Sequence, residues 1–168
     1  MSAKLLPVVL ALALAGPAAA QEVTRTYPTP ATPIAAAVTV PAGYDAVYLS
    51  GALPDPLAPP AQGAAPVYGT TEQQTGSVLR KLAAGLQTLG LTEGDVVKMT
   101  VFLAGDPAKG GAMDFAGMMT AYRRHYGTPT QPNRPARSTV QVAALVAPGA
   151  LVEIEVVAAR RPKSPGRE

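Results

Sequence analysis

Clustered prolines are the feature that most restricts how this chain can fold. Eighteen of the 168 residues are proline, and a proline removes a backbone donor and fixes φ, which excludes helix interiors and central strands. The clusters lie within residues 21–33, 54–69 and 128–135. We expect an extended lead-in at the first cluster and loops at the other two, so regular structure must lie between them.

Composition narrows the chemistry that is available to the chain. It has no cysteine and one histidine, which excludes disulfides, a thiol nucleophile, thiolate zinc sites and an ordinary histidine metal cluster. The net charge is +3, the aromatic residues are six Tyr and two Phe, and no run of Lys or Arg exceeds two residues. With so few stacking platforms, we do not expect nucleic-acid binding.

The first 20 residues have the pattern of a secretory signal peptide. Lys4 is their only charge, an apolar run spans residues 5–15, and small residues end the segment at Ala18-Ala19-Ala20. The apolar run is shorter than the roughly 20 residues that span a bilayer, although an uncleaved membrane anchor is the alternative. We therefore expect a periplasmic or secreted protein that has no membrane contact after cleavage.

Hydrophobic periodicity predicts one domain of alternating strands and helices. The order is strand, strand, helix, strand, helix, strand, strand, which gives an α+β fold with about five strands and two helices on one face. Helices on one face leave the other face of the sheet uncovered. Because the strands are apolar on both sides, we expect oligomerisation to cover that second face. The predicted segments are a signal peptide at 1–20, a flexible leader at 21–33, the domain at 34–160 and a disordered basic tail at 161–168.

The individual elements follow from the same patterns. Strands at 35–40 and 46–50 flank a Gly-containing turn, which predicts a hairpin. The first helix is expected to begin with a capping box of Thr71 and Gln74 and to end at Gly90. The remaining elements are a strand at 95–103, a helix at 113–126, and two strands at 137–145 and 151–158 that are expected to pair.

Arg137 and the pair Glu153 and Glu155 are the candidates for chemistry. A guanidinium binds a carboxylate through two parallel hydrogen bonds, and a nearby carboxylate can position water for attack on an electrophilic carbon. A short turn between the last two strands would place Arg137 beside one of these glutamates, without indicating which. Spacing alone also fits a solvated face or a cross-strand ion pair.

Several motifs together resemble the RidA family, also called YjgF-type reactive intermediate deaminases. The likeness runs from about Val38 to Ala159 in the family's order. Its motifs are Ser50-Gly51, Gln74, Leu89-Gly90-Leu91, Gly94-Asp95-Val96-Val97-Lys98-Met99-Thr100-Val101-Phe102-Leu103, Pro135-Ala136-Arg137-Ser138 and Val152-Glu153-Ile154-Glu155.

The resemblance implies a chorismate-mutase-like fold that assembles as a homotrimer around a central barrel, with ligand pockets between subunits. It implies hydrolysis of small 2-imino and enamine acids to 2-oxo acids and ammonia, without metal or organic cofactor. Arg137 corresponds to the family's carboxylate-binding arginine, and Glu153 to the glutamate that positions water. Ser50 and backbone groups around Gly51 and Thr139 would complete the pocket.

The chain departs from the family pattern at three positions. Ile34-Ala35-Ala36-Ala37 replaces a Gly-Pro-Tyr, Met119 replaces an Asn, and Thr139 replaces a Cys. These changes remove polar groups and indicate a more apolar ligand. Two alternatives stay open: a related aminohydrolase for another substrate, such as an aminomuconate-like acid, and a non-catalytic periplasmic trimer that binds carboxylates or protects against stress.

Overall fold

The computed structural model describes residues 21–161, and these form a mixed sheet with two helices. The α+β prediction is confirmed. In chain order the elements are β1 Thr24–Thr26, β2 Ala37–Thr39, β3 Asp45–Ala52, α1 Thr71–Thr88, β4 Val96–Ala104, α2 Phe115–Tyr122, β5 Ala136–Val142 and β6 Val152–Arg160, with 3₁₀ turns at Glu93–Asp95 and Pro107–Lys109.

The main sheet has the strand order β3-β6-β4-β5. Strand β6 pairs antiparallel with both β3 and β4, while β4 and β5 are parallel. Parallel strands need a crossover connection, and α2 provides it between β4 and β5. Helix α1 connects β3 to the parallel strand β4 in the same way. Both crossover connections run toward the β5 edge and have the same handedness, so both helices lie on one face of the sheet.

Helix α1 forms where the apolar stripe predicts it. Its capping box uses Thr70 and Gln73, one residue before the predicted pair, because the hydroxyl of Thr70 is the one that reaches the third helical amide. The stripe Val78, Leu79, Leu82 and Leu86 is buried. Gly90 follows the helix with φ of +70°, as predicted for a helix end.

Gln74 is fully buried and ties α1 to the loop before β6. Its Nε2 donates to Gly69 O at 3.0 Å, and its Oε1 accepts from Leu151 N at 2.6 Å. A buried amide side chain is stable only when it is hydrogen-bonded. Gln74 therefore fixes where β6 enters the sheet between β3 and β4.

The predicted hairpin between residues 35–40 and 46–50 is wrong. Strand β2 pairs with β1 in a separate two-stranded sheet, and β3 pairs with β6. The turn between β2 and β3 carries a glycine, but the pairing partner of each strand is supplied by a distant segment. A local turn signal cannot report such a partner.

The segment 21–33 belongs to the fold, so the expectation of a flexible leader there is wrong. Strand β1 pairs with β2, and Arg25 Nη2 donates to Gly94 O at 2.8 Å. Arg134 stacks on the ring of Tyr27, with 3.9 Å from Cζ to the centroid. The prolines make this segment extended, and an extended segment can add a strand and fill surface.

The sheet face opposite the helices is uncovered in the single chain and is mixed in character, not uniformly apolar as expected. Tyr48, which is 78% exposed, lies beside Lys98, Thr100 and Glu155 around a cleft of about 330 Å³. Val140, on the same face of β5, is 44% exposed. We call this surface the open face.

Two predictions fall partly or wholly outside the described residues. The signal peptide at 1–20 does, and so do residues 162–168 of the expected tail, although Arg161 at its start pairs with Glu22 at 2.9 Å. Within residues 21–161, neither helix has the length and apolarity to span a membrane.

Candidate functional site

The guanidinium of Arg137 lies between β5 and α2, on the helix side of the sheet. Strand alternation directs it there, because Arg137 pairs with the buried Met99. Nη2 lies 3.1 Å from Met119 Sδ, and Cζ lies 4.3 Å from the centroid of the Tyr122 ring. The guanidinium is therefore held in place by helix side chains that neutralise none of its charge.

Burial lowers the pKa of Arg137 from its ordinary value. The phenol of Tyr122 raises the pKa, and the positive charge of Arg123 lowers it further. A guanidinium nevertheless stays protonated at any physiological pH. Within residues 21–161, the four ion pairs involve other residues, and no carboxylate pairs with Arg137.

Such a half-buried cation without a counter-ion is unusual, because desolvating a charge is costly unless an opposite charge compensates it. An incoming anion would supply that compensation. The planar fork of the guanidinium suits a carboxylate. This arrangement is the strongest chemical feature in the described part of the chain.

Thr139 and Gln141 follow Arg137 along the same face of β5. Thr139 Oγ1 is buried and has no hydrogen-bond partner within residues 21–161. Gln141 accepts from Met113 N at 3.0 Å and donates to Gly111 O at 2.9 Å. Because these two partners precede α2, the strand and the helix run side by side in opposite directions.

Ser50, Gly51 and Glu153 form a second group on the open face. A Cβ built on Gly51 would lie 2.1 Å from Glu153 Oε1, so the carboxylate occupies the space that a side chain at position 51 would fill. Ser50 lines the cleft that also contains Glu155. Glu153 is half-buried and Glu155 is exposed, so burial favours Glu153 as the functional carboxylate.

The structure does not bring the two groups together in one chain, and the predicted adjacency of Arg137 to one of the glutamates on the last strand is wrong. Strand β4 lies between β5 and β6, Arg137 pairs with Met99, and Glu153 pairs with Phe102. The offset is about 10 Å along β4 and two strand spacings of about 4.8 Å across it. The two side chains also lie on opposite faces of the sheet. Their partners on β4, Met99 and Phe102, are three residues apart, and side chains alternate between the faces along a strand.

The surroundings of Arg137 were missed at the sequence level. Methionine and aromatic residues at helical spacing, as in Phe115, Met118, Met119 and Tyr122, ordinarily indicate core, and Met118, Met119 and Tyr122 are buried. The same residues also surround the guanidinium, and Phe115 is 44% exposed beside it. The available signal was the i, i+4 spacing of Phe115 and Met119 together with an arginine at a strand entrance.

Met119 stands where the resembling family has an asparagine, and the thioether contacts the guanidinium directly. Ala35, in the stretch that replaces Gly-Pro-Tyr, is buried and forms a bridge to Ala136, next to Arg137. Both replacements therefore lie close to the arginine. They make its surroundings less polar.

The family model described as Endoribonuclease L-PSP matches residues 21–160, a stretch that contains both groups of residues. The chain belongs to this family. A solved member of the YjgF/YER057c/UK114 family from Mycobacterium tuberculosis is 25% identical with a TM-score of 0.50, covering 82% of this chain and 98% of that chain, and the resemblance to the YjgF-type family drawn from the sequence motifs is confirmed.

Two curated members match part of the chain. A RutC family protein from Haemophilus influenzae is 39% identical over 83 residues, covering 49% of this chain and 58% of its own length. A RutC family protein from Pyrococcus horikoshii is 35% identical over 92 residues, covering 55% of this chain and 64% of its own length. The chain thus spans less than two thirds of either relative.

Solved structures of the family share the fold. TdcF from E. coli with bound serine is 31% identical with a TM-score of 0.54, covering 79% of this chain and 96% of that chain. A Rid family protein from Yersinia pestis has a TM-score of 0.57 at 23% identity, covering 75% and 86%. The second likeness supports the fold alone.

Proposed function

We propose that the protein hydrolyses small reactive 2-imino or enamine acids to 2-oxo acids and ammonia. The single observation that carries the proposal is the guanidinium of Arg137, half-buried against α2 and without a carboxylate partner within residues 21–161. This is the group that a carboxylate-bearing substrate requires. The reaction class is the one that the motif resemblance to the YjgF-type deaminases implies.

In the proposed mechanism, Arg137 binds the substrate carboxylate and so fixes the position of the adjacent C=N carbon. Glu153 accepts a hydrogen bond from a water molecule and directs its oxygen at that carbon. The water oxygen forms a C–O bond while the C=N π pair moves to nitrogen, and the proton that the water releases passes through Glu153 to that nitrogen, which gives a carbinolamine. The carbinolamine hydroxyl then gives its proton by the same route to the nitrogen as the C–N bond breaks, releasing ammonia and leaving the C=O of the 2-oxo acid. An enamine reacts as its imine tautomer.

Little further catalysis is needed because an imine is already electrophilic. Holding the reacting atoms at near-attack distance accounts for much of the acceleration in reactions of this kind. The carboxylate of Glu153 needs only to orient the water molecule and to accept its proton transiently. No strong base is part of the proposal.

The proposed active unit contains more than one copy of the chain. Arg137 and Thr139 lie on edge strand β5, while Ser50, Gly51 and Glu153 lie at the other side of the sheet on β3 and β6. One substrate can meet both groups only where the β5 edge of one copy meets the β3 side of another. Repeating such a head-to-tail contact closes a ring, and the family resemblance makes it a trimer.

Small carboxylates as ligands also agree with a relative. The E. coli TdcF structure contains bound serine, which carries the carboxylate and the nitrogen-bearing carbon of an imino acid. Export to the periplasm or medium is a further part of the proposal and rests on the sequence of residues 1–20. N-terminal sequencing of the mature protein tests it, with cleavage after Ala20 expected.

A second candidate function is carboxylate binding without turnover. The observation that favours it is the apolar surroundings of Arg137. Met119 Sδ lies 3.1 Å from Arg137 Nη2, at a position where the resembling family has an asparagine. Fewer polar groups means fewer groups to orient a water molecule. Calorimetric binding of 2-oxo acids that depends on Arg137, with no ammonia release from any imine, would favour this candidate.

The decisive experiment generates imines in place. An amino-acid oxidase produces the imino acid, semicarbazide traps what remains, and the protein is expected to reduce the trapped fraction. Arg137→Ala should lower kcat/KM by about 100-fold or more, because a charge-assisted bidentate contact is lost. Arg137→Lys should recover part of the activity, since charge remains but the planar fork does not.

The matched control is Arg80→Ala, which removes an exposed guanidinium from α1. It should leave imine hydrolysis unchanged. Imine loss no faster than in buffer, or equal activity in Arg137→Ala and Arg80→Ala, would overturn the proposal.

A further inference from the structure

Arg134, in the loop before β5, fastens a segment near the start of the domain. Its guanidinium stacks on the ring of Tyr27, and its Nη1 donates to Pro30 O at 2.9 Å and to Thr32 O. The backbone N of Arg134 donates to Tyr27 Oη at 3.2 Å. One residue thus holds several points of a short stretch of chain, which we call the 27–33 segment.

The side chain of Arg134 is itself confined. Within residues 21–161 it makes no ion pair, and its buried Nε has no hydrogen-bond partner. Gly127 adjoins its stem, since a Cβ built there would lie 3.1 Å from Arg134 Cδ. The guanidinium therefore has little freedom to move, and the 27–33 segment is held correspondingly firmly.

The 27–33 segment ends at the carbonyl that receives the hydroxyl of Tyr122. Tyr122 Oη donates to Pro33 O at 3.0 Å, and the ring of Tyr122 lies 4.3 Å from Arg137 Cζ. If the segment moved, this buried phenol would lose its acceptor, which is costly for a buried donor. The ring would then shift, and the guanidinium of Arg137 would lose the surface that supports it.

The chain that follows the 27–33 segment is fixed beside the same arginine. Ala35 N donates to Pro135 O at 3.0 Å, and Ala35 forms a bridge to Ala136, next to Arg137. The position of the segment and the position of the guanidinium are therefore linked through the helix and through the strand.

We propose that Arg134 is a positioning residue for carboxylate binding. It holds Pro33 O within reach of the Tyr122 hydroxyl, which keeps the Tyr122 ring against the guanidinium of Arg137. A fork that is already oriented loses less freedom when it binds a carboxylate. The inference rests on the proposed function for the role of Arg137, and it adds a residue that lies outside the motifs that carry the family resemblance.

Calorimetry with pyruvate, a stable 2-oxo acid, measures this role without turnover. Arg134→Ala should weaken pyruvate binding by about three- to tenfold, the change that accompanies loss of one hydrogen bond of ordinary net strength. Arg134→Lys should recover part of the affinity, since a lysine can still donate to one carbonyl of the segment. In imine hydrolysis, KM should rise by the same factor while kcat stays within about twofold.

A double-mutant cycle distinguishes positioning from general support of the fold. Tyr122→Phe removes the hydroxyl that Pro33 O receives, so it should weaken pyruvate binding about as much as Arg134→Ala does. The protein with both changes should bind no more weakly than the weaker single variant, because both changes remove the same contact.

Arg25→Ala is the matched control. Arg25 is also half-buried, its Nε is also buried without a partner within residues 21–161, and its Nη2 donates to Gly94 O at 2.8 Å. Its carbonyl partners lie just before β4 and at its start, and not beside Tyr122. The control should lower the free energy of unfolding in a similar way and leave pyruvate affinity unchanged.

The outcomes separate the inference from the proposed function. Equal pyruvate affinities in Arg134→Ala and Arg25→Ala overturn the positioning role and leave Arg137 as the carboxylate anchor. Losses that add in the double variant also overturn it, because Arg134 would then not act through Tyr122. Absence of pyruvate binding by the unaltered protein overturns both. If Arg134→Ala does not fold, the cycle of Arg134→Lys with Tyr122→Phe decides in the same way.

Discussion

Tyr122 has two structural roles, because its ring packs against Arg137 and its hydroxyl links α2 to the segment before β2. Its ring lies under Arg137, and its Oη donates to Pro33 O at 3.0 Å. Burial raises the pKa of Tyr122 to about 12, while the charges of Arg137 and Arg134 act in the opposite direction. The phenol is therefore neutral in the folded protein, as the hydrogen bond to Pro33 requires.

We expect stability to fall as the pH rises from 10 toward 12. The folded-state pKa of Tyr122 is raised, so the neutral phenol favours folding below pH 10, and this contribution is lost as the pH approaches about 12. Between pH 9 and pH 11 the loss amounts to about 1 kcal/mol. Burial raises the pKa of Tyr126 as well, which acts in the same direction.

Urea unfolding at pH 9, 10 and 11 measures this effect. Tyr122→Phe lacks the titrating phenol and serves as the comparison, so its free energy of unfolding should fall by less over the same range. Identical decreases in the two proteins would show that Tyr122 does not contribute.

At the same scale, the sequence predicts the strand that carries Arg137 better than it predicts the side chains around that residue. Arg137 lies near the start of β5, in agreement with the strand predicted at 137–145, but its half-burial was not predicted, since spacing alone also fits a solvated face. The role of Met119 was not predictable, because a methionine at helical spacing is ordinarily core. Only the tertiary arrangement of α2 against β5 turns it into a neighbour of the guanidinium.

Among the elements, those that bury their own apolar stripe were predicted well. Helix α1 and strands β4 and β6 each carry a periodic pattern that is independent of what lies beside them. Pairing was predicted poorly, as the hairpin and the assumed β5–β6 contact demonstrate. The antiparallel insertion of β6 between β3 and β4 depends on long-range contacts such as that of Gln74 with Leu151.

The contact of β3 with β6 yields a prediction at this scale. The register shifts between Leu49 and Ala52, and the carboxylate of Glu153 fills the space over Gly51. We expect Gly51→Ala to displace this flexible carboxylate, whose Oε1 lies 2.1 Å from the new Cβ position. Imine turnover should fall by about tenfold to a hundredfold.

Steady-state kinetics and calorimetry together check this prediction. Because the proposed carboxylate contact is made by Arg137 and not by Glu153, kcat should change far more than the dissociation constant of a 2-oxo acid. Glu153→Gln provides the comparison, since it keeps the shape of the side chain and removes its charge. A Gly51→Ala protein with undiminished turnover would separate Glu153 from the chemistry.

For the whole molecule, the arrangement of the two residue groups has a consequence for assembly. The proposed site draws on Arg137 near one edge of the sheet and on Glu153 near the other, so completing it would need a head-to-tail association, and a closed ring of such contacts would leave no half-site unpaired. The open face, with Tyr48 78% exposed, would then lie toward other copies. Sequence patterns predicted the uncovered face but not its polar residues.

Mixing two inactive variants tests whether each site draws on two copies. An Arg137→Ala chain keeps Glu153, and a Glu153→Gln chain keeps Arg137, so a junction of the two in the right order contains both groups. After unfolding and refolding as an equal mixture, random assembly makes about a quarter of the sites intact. Imine hydrolysis should therefore return to about a quarter of the unaltered level, and light scattering should give three times the subunit mass.

Each variant refolded alone should stay inactive. If the mixture is no more active than its components, both groups act within one chain or the site lies elsewhere, and the opposite faces of Arg137 and Glu153 favour the latter.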